Sequence, residues 1–152
     1  MSRVDEHRQA IRELLATYGD AVTRRAWPEV AALFAPGCRL TLDLRDRTVE
    51  HEGGEAISAF IAASMERFDF FVFALLNSVA TVDDTGTSAR GRLYMQELRS
   101  EAGRFTTAYG LYQDRYALVD GAWRFADRRY CTLARTDPDA DRMLTFAFPS
   151  TT

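Results

Sequence analysis

AYGLYQDRYALVDGAWRFADRRY, residues Ala108 to Tyr130, decides the fold. Asp120-Gly121 is a turn dipeptide set between two runs rich in aromatic and β-branched residues, which predicts two long strands folded back on each other. Alternation along the first strand puts Gly110, Tyr112, Asp114, Tyr116 and Leu118 on one face, and Leu111, Gln113, Arg115 and Ala117 on the other. Asp114 therefore stands in a row of aromatic and aliphatic side chains. A carboxylate in such a row is either paired with a cation or has its pKa raised for use in chemistry.

Outward from this hairpin, the chain of 152 residues has the length of one ordinary domain, and residues 1–135 are expected to form it, with 136–152 as a C-terminal tail. An apolar share of 47% and an aromatic share of 12% suit a globular protein, and a net charge of -3 offers no footprint for nucleic acid or an anionic membrane. The N-terminal MSRVDEHRQA lacks the apolar core of a signal peptide and no stretch has the length of a membrane span, so a cytoplasmic location is expected. Cys38 and Cys131 lie far apart without a CxxC spacing, and His7 and His51 pair with no second ligand, so neither a metal nor another cofactor is expected.

Upstream, Ile11, Leu14, Leu15, Tyr18 and Val22 fall on one face of a helix from about Val4 to Arg24. Tyr18 lies on that apolar face, so its hydroxyl must find a partner or point into a cavity. Trp27-Pro28 opens a short second helix whose buried side is Val30, Leu33 and Phe34, ending at Pro36-Gly37. Arg39 to Leu44 alternates as a half-buried strand, Thr48 to Glu52 returns as another, and Gly53-Gly54 precedes a third helix marked by Ile57, Phe60, Ile61 and Met65. The run Phe70 to Leu76 is apolar without alternation, which predicts a strand buried on both faces and interrupted by Asn77. Ser88 to Glu101 is the next long strand. The apolar Leu144 to Phe148 segment is expected to cover a groove on its own chain or on a partner. Three helices and a set of long antiparallel strands predict an α+β fold, a curved sheet wrapped around helices with a pocket where they fail to fill the concavity.

The helix face around Tyr18, the Trp27 to Phe34 segment, the central glycine break and the ending GLYQDRYALVDGAWRFADRR together resemble the SnoaL-like branch of the nuclear transport factor 2 superfamily, over roughly residues 8 to 132. The resemblance implies a cone-shaped α+β barrel with a mostly apolar cavity, often dimeric through the outer sheet face, so a homodimer is expected. Its relatives include polyketide cyclases, ketosteroid isomerase, scytalone dehydratase and limonene epoxide hydrolase, beside non-catalytic small subunits of ring-hydroxylating dioxygenases. Tyr18 matches the first-helix tyrosine that donates to an oxyanion in the isomerase, and Asp114 falls close to, within one residue of, the strand carboxylate used there and in the cyclases. The isomerase's proton-shuttling base falls at Leu42, with Asp43 beside it on the opposite face. The epoxide-hydrolase set falls near Tyr94, Gln96 and Phe125 without a match. A position that is often histidine among relatives is Phe73, and one commonly acidic at the end of the first helix is Thr23.

The expected function is therefore proton-transfer chemistry (cyclisation, dehydration or isomerisation) on a small apolar carbonyl or hydroxylated compound, with Tyr18 and Asp114 catalytic. Trp27, Phe60, Met65, Phe73, Asn77, Tyr94, Gln96 and Tyr112 are the candidates for ligand contact. The competing readings are an Asp114 ion-paired with Arg92, Arg124 or Arg128, a Tyr94 and Gln96 on the outer face, and a non-catalytic binding or scaffolding module.

Overall fold

The computed structural model describes residues 1–150. In order along the chain the elements are α1 (Arg3–Thr23), α2 (Trp27–Ala31), β1 (Phe34–Asp43), β2 (Thr48–Glu52), α3 (Gly54–Met65), β3 (Phe70–Val82), β4 (Ser88–Glu101), β5 (Arg104–Val119), β6 (Ala122–Thr136) and β7 (Met143–Thr145). Ser2 caps α1 by accepting a hydrogen bond from the Asp5 amide at 3.1 Å, satisfying one of the donors that a helix start leaves free. Among the described residues no helix is long and apolar enough to cross a membrane.

The strands make one sheet in the order β2-β1-β6-β5-β4-β3, with β7 added to β6. All pairings are antiparallel except β1 with β6. The sheet is curved and unclosed, and its concave face holds the core: Ile11, Leu14, Leu15, Tyr18 and Val22 of α1 and Ile57 and Met65 of α3 pack against Leu40, Phe73, Leu93, Met95, Tyr112, Tyr116, Phe125 and Tyr130. This is the α+β cone expected from the sequence.

The β5–β6 hairpin turns at Asp120-Gly121, both with positive φ (51° and 82°), the backbone that a two-residue hairpin loop needs to match strand twist. Registry from that turn would bring Asp127 opposite Asp114. A bulge at Ala126 shifts it by one residue, so that Arg115 pairs with Asp127 and Asp114 with Arg128. The extra residue replaces a juxtaposition of like charges with an ion pair. It also reverses the faces of β6, turning Arg128, Tyr130 and Thr132 inward with Trp123 and Phe125.

Two expectations are corrected. The second helix stops at Ala31, and the chain through Pro36-Gly37 already belongs to β1, where the pairing with β6 is irregular between Phe34 and Arg39. Phe70 to Leu76 is not buried on both faces: β3 is the edge of the sheet, with Phe71 and Phe73 facing in while Phe70, Leu75 and Leu76 stay exposed. Among the described residues no strand pairs with the free side of that edge. The tail covers its own chain, since β7 pairs with Ala134 to Thr136 and Phe148 approaches the Tyr94 ring at 6.3 Å. Arg45 secures it, donating to the Ala147 carbonyl at 2.5 Å and lying over the Phe146 ring.

Candidate functional site

The helices leave part of the concavity unfilled, a cavity of about 580 Å³. That volume suits a small organic molecule. Leu40, Leu42, Phe60, Ile61, Met65, Phe68, Phe71 and Phe73 give it apolar walls. Tyr18, Tyr112 and Tyr130 bring three phenols to the lining, and Glu97 and Arg99 add one close ion pair. Exposed Asp46, Arg47 and Arg67 stand at its rim.

Each polar group is placed by local rules. Tyr18 follows the apolar stripe of α1 and is locked by edge-on contacts with the rings of Phe34, Phe73, Tyr112 and Phe125, at 5.3 to 6.4 Å. Tyr112 is inward by alternation along β5. Tyr130 faces inward because of the bulge, with its hydroxyl accepting from Thr132 Oγ1 at 3.3 Å. Burial pushes all three phenols above their ordinary pKa, so they are hydrogen-bond donors and not phenolates at neutral pH.

Glu97 follows the alternation of β4, in which Ala89, Leu93 and Met95 are buried. Its Oε1 accepts from Arg99 Nη1 at 3.3 Å, and 24% of the side chain is accessible. Desolvation raises its pKa, against the opposing effect of Arg99. The charge of Glu97 bears on all three tyrosine hydroxyls, opposing their ionisation. One carboxylate of raised pKa thus shares a cavity with three phenolic donors, the components of proton transfer beside a polarised carbonyl or hydroxyl.

Of the residues singled out in the sequence, Tyr18, Phe60, Met65, Phe73 and Tyr112 line the cavity. Asp114 does not. It faces inward but lies deeper, its Oδ1 and Oδ2 accepting from Arg128 Nε and Nη2 at 2.8 and 3.1 Å, and its Oδ2 also from the Tyr116 hydroxyl at 3.1 Å. Both members of the pair have side chains with no solvent exposure. Burial raises the pKa of Asp114 against the pull of Arg128, yet the guanidinium keeps its proton under any ordinary condition and holds the carboxylate as its counterion.

Asn77, Tyr94 and Gln96 lie outside the cavity, for a common reason. A bulge between Leu75 and Asn77 sets Asn77 opposite Tyr94, and the parity of β4 turns Tyr94 and Gln96 to the outer face. There Asn77 is exposed, and Gln96 donates to Thr107 Oγ1 and the Tyr109 hydroxyl at 3.1 and 3.0 Å. Trp27 is half-buried behind α3, with its carbonyl accepting from Ser58 Oγ at 2.8 Å. Beside several apolar wall residues and Arg99, Glu97 and Tyr130 are the proton-exchanging groups that sequence reasoning missed. Glu97 was signalled by its parity with Leu93 and Met95, whereas Tyr130 depends on a bulge that nothing in the alternation announces.

Thr23 and Phe73 are brought together, the Phe73 amide donating to Thr23 Oγ1 at 3.0 Å. The two positions where the resemblance to relatives places an acid and a histidine thus hold a hydroxyl and an apolar ring, joined through the Phe73 backbone. Among the described residues no three His, Cys, Asp or Glu side chains gather as a metal site.

The fold and cavity define a cone-shaped α+β domain of the nuclear transport factor 2 type. Residues 4–129 match the model of the SnoaL-like domain, and the chain belongs to that family. No curated protein matches it. Among solved structures it is similar to LinA, with TM-score 0.76 and 20% identity over 93% of this chain and 94% of that one. A Mycobacterium tuberculosis protein of unknown function superposes with TM-score 0.75 and 24% identity over 87% and 76% of the two chains. The hexachlorocyclohexane dehydrochlorinase LinA-type3 from Novosphingobium barchaimii LL02 gives TM-score 0.71 and 15% identity over 95% and 93%. At these identities the likeness is one of fold.

Proposed function

We propose that this protein is a cofactor-independent enzyme that transfers a proton within a small apolar carbonyl or hydroxylated compound held in the cone, by cyclisation, dehydration or isomerisation. The observation that carries this is Glu97, a carboxylate of raised pKa in a cavity whose other polar groups include the phenols of Tyr18, Tyr112 and Tyr130. Apolar walls desolvate the compound, Tyr18 and Tyr112 donate hydrogen bonds to its oxygen, and Glu97 removes and returns the proton. Neighbours named for dehydrochlorination suit the same class, since elimination also begins with a base at a C–H bond.

Once turnover is found in a panel of such compounds, Glu97→Gln is expected to lower kcat by about 10²- to 10⁴-fold, the usual contribution of a general acid or base, with KM little changed. Undiminished kcat in Glu97→Gln excludes the assignment. The pairing of Glu97 with Arg99 and the Thr23–Phe73 contact favour a second reading, a binding module without chemistry. Saturable binding of these compounds with no turnover of any of them would select it.

A further inference from the structure

The buried ion pair beneath the cavity is more than a counterion arrangement. The guanidinium of Arg128 lies 4.5 Å from the ring centroid of Tyr18, 3.8 Å from that of Tyr112 and 3.9 Å from that of Phe125. Asp114 holds it by Nε and Nη2, while among the described residues Nη1 has no hydrogen-bond partner. A fully buried arginine with one idle nitrogen and three aromatic rings around it has been placed for its charge and plane rather than for its hydrogen bonds.

We infer that the Asp114–Arg128 pair is a positioning device for the cavity floor: its guanidinium, stacked on the rings of Tyr18 and Tyr112, fixes both phenols and makes their hydroxyls stronger hydrogen-bond donors to an oxygen of the bound molecule. The pair is neutral as a whole but has a direction, with its positive end against the rings. In keeping with this, Arg128 opposes the burial-driven rise of both phenols. Asp114 acts in the other direction on Tyr18, as a lesser influence than Arg128. The remaining titratable groups that bear on these hydroxyls are the two phenols on each other, Glu97 of β4 and Tyr130 of β6. The role in binding an oxygen rests on the proposed function; the effect on the phenols does not.

The test replaces the tyrosines of the full chain with a fluorinated tyrosine, whose phenol titrates well below the normal range, and follows each by ¹⁹F NMR. The resonances are assigned through Tyr18→Phe and Tyr112→Phe. Asp114→Asn with Arg128→Gln keeps hydrogen-bonding groups at both positions and an acceptor for the Tyr116 hydroxyl while removing both charges. It is expected to raise the titration midpoints of Tyr18 and Tyr112 by about one pH unit, tenfold in ionisation, and to leave Tyr94 and Tyr109 in place. Asp114→Asn alone keeps the cation and is expected to lower the midpoint of Tyr18. Midpoints of Tyr18 and Tyr112 unmoved by the double substitution, with the circular dichroism of the native fold, would overturn the inference. Should the double variant fail to fold, the single one decides: an unmoved or raised Tyr18 midpoint overturns it. Shifted phenols in a protein that neither binds nor turns over any of the compounds would leave this inference standing and remove the proposed function.

Discussion

Gly110→Ala is the substitution that most directly probes how the cavity floor is built. Gly110 lies in the middle of β5, beside the register shift that separates the Tyr109 and Gly110 pairings with β6. The Tyr130 ring lies across its backbone, and a Cβ added there would coincide with the ring carbons and hydroxyl. Two opposing effects must be compared. Alanine restricts the unfolded chain and is worth about 0.4–1 kcal/mol to the folded state. Against that, forcing a methyl into a filled site costs about 1–3 kcal/mol, and displacing Tyr130 forfeits its bond with Thr132, about 0.5–1.5 kcal/mol more. Tyr130 also leaves its contact with Tyr112, whose ring centroid is 5.0 Å away. Overpacking wins, by about 2 kcal/mol, or roughly 4–8 °C in Tm for a domain of this size. Urea unfolding followed by tryptophan fluorescence, with thermal melting alongside, measures it. A Gly110→Ala protein as stable as the native one, or more stable, would show that the Tyr130 ring is not seated on this glycine.

Two further outcomes follow from the buried charges. Arg128→Met should cost about 3–5 kcal/mol at pH 7, because it strands the Asp114 carboxylate without a counterion. Loss of the cation raises the folded pKa of Asp114 further above its unfolded value, so the charged form is what destabilises, and the deficit should shrink as pH falls from 7 towards about 4, where the unfolded aspartate is protonated as well. Equal deficits in urea unfolding at pH 7 and pH 4 would contradict this. Glu97→Gln should raise Tm at pH 7, since burial lifts the folded pKa of Glu97 above its unfolded value and makes its charge a cost at neutral pH. That gain should vanish by about pH 4, where the native carboxyl is itself protonated; a gain independent of pH would point to packing instead.

The parts of the fold that sequence showed well are those governed by local rules. The apolar stripe of α1, the hairpin at Asp120-Gly121 and the inward row of β5 all follow from spacing and turn chemistry. What alternation cannot reveal is a change of parity, and two bulges here change it. The one at Ala126 turns Arg128 and Tyr130 inward, and the one between Leu75 and Asn77 moves Asn77 to the outer face. Sheet position is equally hidden. An apolar run says that Phe70 to Leu76 could be buried twice over, but only the strand order shows that β3 is an edge. Tyr94 and Gln96 stand out by residue type alone, whereas the parity of Leu93 and Met95 points to Glu97 as the inward polar residue of β4.

The contact between Thr23 and Phe73 bears on how this scaffold could acquire another chemistry. The two residues come from different elements, the end of α1 and the start of β3, and the geometry that joins them is already built: a hydroxyl against an amide at 3.0 Å, beside a ring that lines the cavity and packs 5.3 Å from Tyr18. Thr23→Asp with Phe73→His would put an acid and an imidazole at two positions that this hydrogen bond already holds together. For an evolving lineage or a designer, two substitutions are where a search for an acid–imidazole couple in this tyrosine-lined cone would begin.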